Sequence, residues 1–97
     1  MEKSVLDDVL SRPQVCARRA EGECSGRITI EHAFGRKYEA PWNCVILCYF
    51  HHLGQGLNKE LNRYIAYRYA TEDDLKKFKC YEQLKQEKSH LRKKYAL

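Results

Sequence analysis

Long apolar runs, an apolar N-terminal segment and proline are absent or scarce in this chain. No stretch approaches the roughly 18 consecutive apolar residues of a membrane-spanning helix, so no membrane span is expected. The N-terminal segment MEKSVLDDVLSRP is acidic in part and lacks the apolar core of a secretory signal. The two prolines, Pro13 and Pro41, are expected to end a helix and a loop. These absences favour a cytoplasmic protein.

Five cysteines in a chain without a secretory signal indicate reduced thiols rather than a disulfide framework. The odd count agrees with this interpretation, because three cysteines can act as metal ligands while Cys44 and Cys80 remain free. We expect Cys44 to be a small buried hydrophobe and Cys80 to be a packing residue.

Basic residues outnumber acidic ones by 18 to 13, which gives a net charge of +5 and a pI near 9.0. This balance favours a polyanionic partner such as nucleic acid or an anionic membrane face, although solvated surface lysines would give the same composition. At 97 residues, 32% of them charged, the chain predicts one domain with a thin core that a bound metal would help to stabilise.

The pattern of apolar and turn-forming residues predicts an α+β fold. The expected elements are a helix at 4–10 with Ser4 as its N-cap, a ligand-bearing loop at 16–26, strands at 27–31 and 44–48, a helix at 57–70, and a last helix from about residue 71. Thr71 and Asp74 have the spacing of a capping box for that last helix. Residues 75–97 contain eight basic and two acidic side chains, so this helix is expected to be strongly basic.

Four side chains have the spacing of a zinc site. Cys48 and His51 form a tight C-x-x-H pair, and Cys16 and Cys24 form a second pair with a wider separation. Cys44 competes for a ligand role, since it lies four residues before Cys48. Zinc favours two such pairs that are separated in sequence and adjacent in space.

The strings IEHAFGR and WNCVILCYFHH resemble the motif of the HNH nuclease family. The first histidine of that motif matches His32, its asparagine matches Asn43, and its last histidine matches His52. The cysteine pairs match the zinc site of many members, and the wide first pair is most similar to small phage or prophage proteins. The resemblance implies a ββα-metal (His-Me finger) core at 16–56, with additional N- and C-terminal helices, in a bacterial or phage-infected host cell.

The resemblance also implies a role for each matching residue. His32 would be the general base, and Asn43 would fix the adjoining loop. Glu31 and His52 would hold one catalytic Mg²⁺ or Mn²⁺ at the scissile phosphate, where family members commonly have Asp in place of Glu31. His51 would complete the structural Zn²⁺ site, so two adjacent histidines would face different ions.

The function implied is a metal-dependent DNA endonuclease with low sequence specificity or with preference for DNA structure. Arg27, Arg36 and Lys37 flank the motif and would contact phosphates without reading sequence. The alternative is a non-catalytic, zinc-stabilised DNA-binding module in which His32 and Asn43 only brace the loop. The single domain would comprise the core at 16–56 and two C-terminal helices at 57–97.

Overall fold

The computed structural model describes residues 2–36 and 38–95. These residues form a small α+β fold with a two-stranded antiparallel sheet and five α-helices. In chain order the elements are α1 (Lys3–Ser11), β1 (Ile28–His32), β2 (Cys44–Cys48), α2 (Tyr49–His52), α3 (Lys59–Tyr69), α4 (Glu72–Lys76) and α5 (Tyr81–Tyr95). Short 3₁₀ turns precede each strand, at Arg19–Glu21 and Pro41–Asn43.

Strand β2 is buried along its whole length because both faces of the sheet are covered. Ile30 and Ile46 are partners across the sheet and pack with Val5 and Val9 of α1. The other face of β2 packs in the main core with residues of α3, α4 and α5. A strand that is buried on both faces is expected to be continuously apolar, as the sequence Cys-Val-Ile-Leu-Cys is.

The first helix forms where the sequence predicts it, but the predicted N-cap is wrong. Glu2 occupies the cap position, and the Ser4 hydroxyl donates to the Glu2 carboxylate at 2.9 Å from within the first turn. The helix ends before Pro13, and Arg12 then donates to the carbonyl oxygens of Cys44 and Pro41, both at 2.7 Å. These bonds attach the end of α1 to the start of β2.

The C-terminal region contains three helices rather than the two that were predicted. The capping box of Thr71 and Asp74 is confirmed, but the helix that it starts ends at Lys76. The break occurs because Phe78 packs against the rings of Tyr38 and Trp42, at centroid distances of 4.7 and 5.8 Å. The chain turns around this contact before α5 begins.

Helix α2 is a single turn that ends at His52, and α3 begins seven residues later. The interruption agrees with the glycines at positions 54 and 56. Within the described part of the chain, no helix has the length and apolar content needed to cross a bilayer.

Candidate metal centre and neighbouring polar residues

Three cysteines and one histidine converge at the junction of the 16–26 loop, β2 and α2. Cys16 and Cys24 lie in the loop, Cys48 is the last residue of β2, and His51 lies in α2. We call these four residues the Cys/His cluster. The His51 Nδ1 atom is 3.4, 3.7 and 3.2 Å from the sulfurs of Cys16, Cys24 and Cys48 respectively. All four ligand atoms lie within 4.8 Å of one another.

These distances fit a tetrahedral zinc ion. Zinc binds sulfur at about 2.3 Å and nitrogen at about 2.0 Å, so a sulfur and a nitrogen on one tetrahedral ion are about 3.5 Å apart. The three observed separations of 3.2 to 3.7 Å bracket that value. The four side chains are therefore positioned to bind a metal ion such as zinc, as their spacing predicts.

Backbone hydrogen bonds bring the loop that carries Cys24 against α2. The amide of Tyr49 donates to the carbonyl of Arg27 at 2.9 Å, and the amide of Phe50 donates to the carbonyl of Ser25 at 3.1 Å. Gly26 permits this approach, because its φ is +81° and a Cβ there would lie 2.6 Å from the Cβ of Tyr49. The loop could not come this close with any other residue at that position.

Two thiols of the Cys/His cluster, those of Cys48 and Cys24, have pKa values that move in opposite directions. Burial raises the pKa of Cys48, but hydrogen bonds from the backbone amides of His51 and Ser25 and with the Cys24 thiol outweigh it and lower the pKa to about 6. Desolvation and hydrogen bonds with the other two thiols raise the pKa of Cys24 to about 11. A bound cation would remove this conflict, since metal binding favours the thiolate at every ligating cysteine.

Arg18 supports the Cys/His cluster and was not predicted from the sequence. Its side chain is only 6% exposed and makes two 2.7 Å hydrogen bonds to the Glu21 carboxylate. It also donates to the carbonyl oxygens of Gly56 at 2.8 Å and His51 at 3.4 Å. Arg18 therefore links the 16–26 loop to α2 and the turn that follows, and arginine at a loop position gives no sequence signal for such a role.

The remaining cysteines lie outside the Cys/His cluster. Cys44 is fully buried between α1 and the sheet, where burial raises the pKa of its thiol. Cys80 is partly buried, with its sulfur 3.9 Å from the Tyr38 hydroxyl oxygen. The alternative pairing of Cys44 with Cys48 in the metal centre is wrong, because Cys44 and Cys48 lie at opposite ends of β2, roughly 13 Å apart along the strand, and Cys44 is not among the converging ligands.

A second group of polar side chains lies at the end of β1, just before β2 and at the end of α2. We call it the polar set, and it comprises Glu31, His32, Asn43 and His52. Asn43 is completely buried, and its side chain holds the loop after β1. Its Oδ1 accepts from the Phe34 amide at 2.7 Å, and its Nδ2 donates to the carbonyl oxygens of Gly35 and Tyr38, both at 2.9 Å. Asn43 thus fixes the conformation of the residues that directly follow His32.

His52 is oriented by Thr29, a second supporting residue that was not predicted from the sequence. The Thr29 hydroxyl donates its hydrogen to the Leu47 carbonyl at 2.8 Å, and its oxygen lies 2.7 Å from His52 Nδ1. Because that hydrogen is already used, Nδ1 of His52 donates to Thr29 and Nε2 keeps its lone pair. Burial, followed by the charge of His32, lowers the pKa of His52.

Glu31 and His32 each have a buried polar atom with no hydrogen-bond partner among the described residues, Oε2 and Nε2 respectively. Burial lowers the pKa of His32 and raises that of Glu31. Beside Glu31 lies the buried amide of Asn62 in α3. Its Nδ2 makes no hydrogen bond of ordinary geometry within that part of the chain, but the approach of this donor to the Glu31 carboxylate opposes the rise in the Glu31 pKa. Unpaired buried polar atoms are rare, and each needs an explanation.

The polar set does not form a preassembled metal cage. Over residues 2–36 and 38–95, the Cys/His cluster is the only group of three or more histidine, cysteine or acidic ligand atoms that lie this close together. Glu31 and His32 are consecutive strand residues, and such side chains point to opposite faces of a sheet. This geometry explains why they do not converge.

Of the predicted phosphate contacts, Arg27 and Arg36 are exposed, and Lys37 lies outside the described residues. Comparison of the chain with protein-family models, with curated proteins and with solved structures finds no match.

Proposed function

We propose that this protein is a metal-dependent DNA endonuclease of HNH type, in which the Cys/His cluster holds the scaffold and the polar set carries the chemistry. The observation that supports the proposal most is the buried Nε2 of His32, which has no hydrogen-bond partner within the described chain. It lies at the end of β1, next to the loop that Asn43 fixes. A held imidazole with an unused nitrogen is suited to take a proton from a water molecule.

Asn43 has a positioning role in this proposal. Its three hydrogen bonds hold the backbone from Phe34 to Tyr38, and this limits the motion of the chain next to His32. A general base must stay within hydrogen-bond distance of the attacking water, so small displacements are costly in rate.

His52 and Glu31 would hold the divalent cation. The hydrogen bond from His52 Nδ1 to Thr29 leaves Nε2 as an acceptor, which is the form of histidine that binds metals. The unpaired Oε2 of Glu31 supplies a carboxylate oxygen. When bound, Mg²⁺ or Mn²⁺ would polarise the scissile phosphate and stabilise the leaving 3′-oxygen. With only two protein ligands, water and phosphate oxygens would complete the coordination, as is usual for Mg²⁺.

The proposal is tested by nicking of supercoiled plasmid DNA in Mg²⁺ or Mn²⁺, with wild type and the His32→Ala variant. Removal of a general base is expected to reduce the rate by about 100- to 10,000-fold. The matched control is His90→Ala, since His90 is an exposed histidine on α5 and its removal should leave the rate unchanged. Equal activity in His32→Ala and wild type, or no nicking by wild type in either ion, would contradict the proposal.

The second candidate is a DNA-binding module without catalysis. It is favoured by the observation that, among the described residues, the polar set contains no group of three ligand atoms that lie close together. This candidate predicts that wild type retards DNA in a binding assay and that added Mg²⁺ changes neither binding nor the integrity of the DNA.

A further inference from the structure

Three adjoining clefts form one groove that involves none of the polar set. The first cleft, of about 340 Å³, and the second, of about 240 Å³, share Ala17, Arg19 and Tyr69 in their walls. The third, of about 260 Å³, shares Arg68 with the second and extends between α3 and α5. We call these three clefts together the basic groove.

The basic groove contains cations and no carboxylates in its described walls. Its charged residues are Arg12, Arg19, Arg68, Lys88 and Arg92. A neighbouring cleft of about 630 Å³, which shares Arg12 and Tyr69 with the basic groove, differs in charge, since it also has four carboxylates in its walls: Glu2, Asp8, Glu39 and Asp74. Within the basic groove itself, no carboxylate of the described walls therefore competes with a ligand for these cations.

Two of these cations are available to a ligand. Arg68 and Arg92 are exposed, and neither has a hydrogen bond or an ion pair with another residue of the described chain. Arg12 differs, because its guanidinium already donates to Cys44, Pro41 and Asp8. Their planar guanidinium groups therefore have donors free for a phosphate, which arginine binds in a bidentate manner.

Tyr69 places an aromatic surface where the first two clefts meet. Its side chain is 54% exposed although it lies at the end of a packed helix. The guanidinium of Arg12 lies over the ring at 5.1 Å from its centroid, and about half of the side chain remains exposed. Cations interleaved with exposed aromatic rings are the arrangement by which proteins bind single-stranded nucleic acid, where bases stack on the rings.

We propose that the basic groove binds a single-stranded segment of nucleic acid, with phosphates at Arg19, Arg68 and Arg92 and a base stacked on Tyr69. A duplex does not suit this groove, because its bases are already stacked inside the helix and cannot reach Tyr69. The inference goes beyond the proposed nuclease activity and stands on different residues, so it holds whether or not the polar set cleaves DNA.

The test is fluorescence anisotropy of a labelled single strand of about 20 nucleotides and of the matching duplex, without Mg²⁺ or Mn²⁺, using the full chain with its metal. Wild type should bind the single strand more tightly than the duplex. Tyr69→Ala should weaken single-strand binding by about 5- to 150-fold, whereas Tyr69→Phe, which keeps the ring, should bind like wild type. Arg68→Ala should weaken binding and reduce the salt slope by about 0.7.

Lys79→Ala is the matched control, because it removes the same charge from an exposed site outside the basic groove. Circular dichroism establishes that each variant is folded, and Tyr69→Leu and Arg68→Gln, which also remove the ring and the charge, replace any alanine variant that is not. A loss in Lys79→Ala equal to that in Arg68→Ala would overturn the inference, as would equal affinity for duplex and single strand. Binding of phosphatidylserine vesicles with no binding of the oligonucleotide would assign the groove to a membrane surface and would also overturn it.

Discussion

The Cys/His cluster and the polar set occupy the same short part of the chain but differ in how their polar atoms are arranged. In the cluster, four ligand atoms converge within 4.8 Å, which is the number and spacing that one tetrahedral ion requires. In the polar set, Asn43 is fully hydrogen-bonded, while Glu31 and His32 each keep a buried atom with no partner in the described chain.

We infer from this difference that the Cys/His cluster stabilises the fold, whereas the polar set needs a bound ligand to pair its buried polar atoms. Each buried polar atom without a partner costs about 1–3 kcal/mol of stability, which only a bound ion, water or substrate can offset. Metal binding to the Cys/His cluster would increase the free energy of unfolding. The unpaired atoms of the polar set would decrease it as long as no ligand is bound there. Mutations in the two groups are therefore expected to have different effects.

The largest expected effect is that of metal removal on stability. The small core cannot replace a bound ion that joins the 16–26 loop to β2 and α2, so the Cys48→Ser variant, or chelation of wild type, should lower the unfolding midpoint by about 10 °C or more. Cys80→Ser is the matched control and should change the midpoint much less, because Cys80 is not in the cluster. Thermal unfolding followed by circular dichroism measures both, and equal shifts would contradict the structural role of the metal.

The second effect concerns the buried cation beside the Cys/His cluster. Arg18→Ala would leave the carbonyl oxygens of Gly56 and His51 without this donor, and should reduce the free energy of unfolding by about 2–3 kcal/mol. The adjacent exposed residue provides the comparison, since Arg19→Ala should have little effect on stability. Denaturant titration of both variants measures the difference, and similar losses would show that the contacts of Arg18 do not matter.

The third effect distinguishes positioning from chemistry within the polar set. Asn43→Ala should reduce the free energy of unfolding by about 2–3 kcal/mol, because the Phe34 amide loses its buried acceptor and two carbonyl oxygens lose their donor. His32→Ala should not destabilise the protein in this way, since it removes a nitrogen that has no partner in the described chain. Chemical denaturation of the two variants provides the test, and a greater loss for His32→Ala would reverse the roles assigned here.

The smallest effect is the difference between two glycines in the loop that carries Cys24. Gly22 and Gly26 both have positive φ, +80° and +81°, so alanine strains the backbone at either position. Only at Gly26 would the new Cβ also collide with Tyr49, whereas nothing lies within 4 Å at Gly22. Gly26→Ala should therefore be less stable than Gly22→Ala by about 1–3 kcal/mol, and should hold its metal less tightly. Equal stabilities would indicate that the loop does not need its close approach to α2.

Much of the cluster could be predicted from the sequence because metal ligands follow spacing rules. The pair of Cys48 and His51 needs only one helical turn to reach a common ion, and the strand that precedes it is marked by its apolar run. Strand β1 was predicted one residue too early, at 27–31 instead of Ile28–His32. Such an offset is common because strand ends depend on cross-strand pairing.

The supporting residues could not be predicted, because their roles depend on contacts between distant parts of the chain. Arg18 contacts Gly56 and Thr29 contacts His52 only after the loop, the sheet and α2 have come together. The break between α4 and α5 has the same origin, since Phe78 leaves the helical path for the rings of Tyr38 and Trp42. The local sequence around Phe78 favours helix, and the tertiary contact overrides it.

The division of labour between His51 and His52 is tested most directly by zinc content per chain after dialysis against a competing chelator. The Nδ1 atom of His51 lies among the three sulfurs, while the Nδ1 atom of His52 lies against the Thr29 hydroxyl. The two adjacent histidines therefore serve as each other's control. We predict that His52→Ala retains about one equivalent of zinc, as wild type does, and that His51→Ala loses it. Loss of zinc from His52→Ala, or full retention by His51→Ala, would contradict the assignment of the two histidines to different sites.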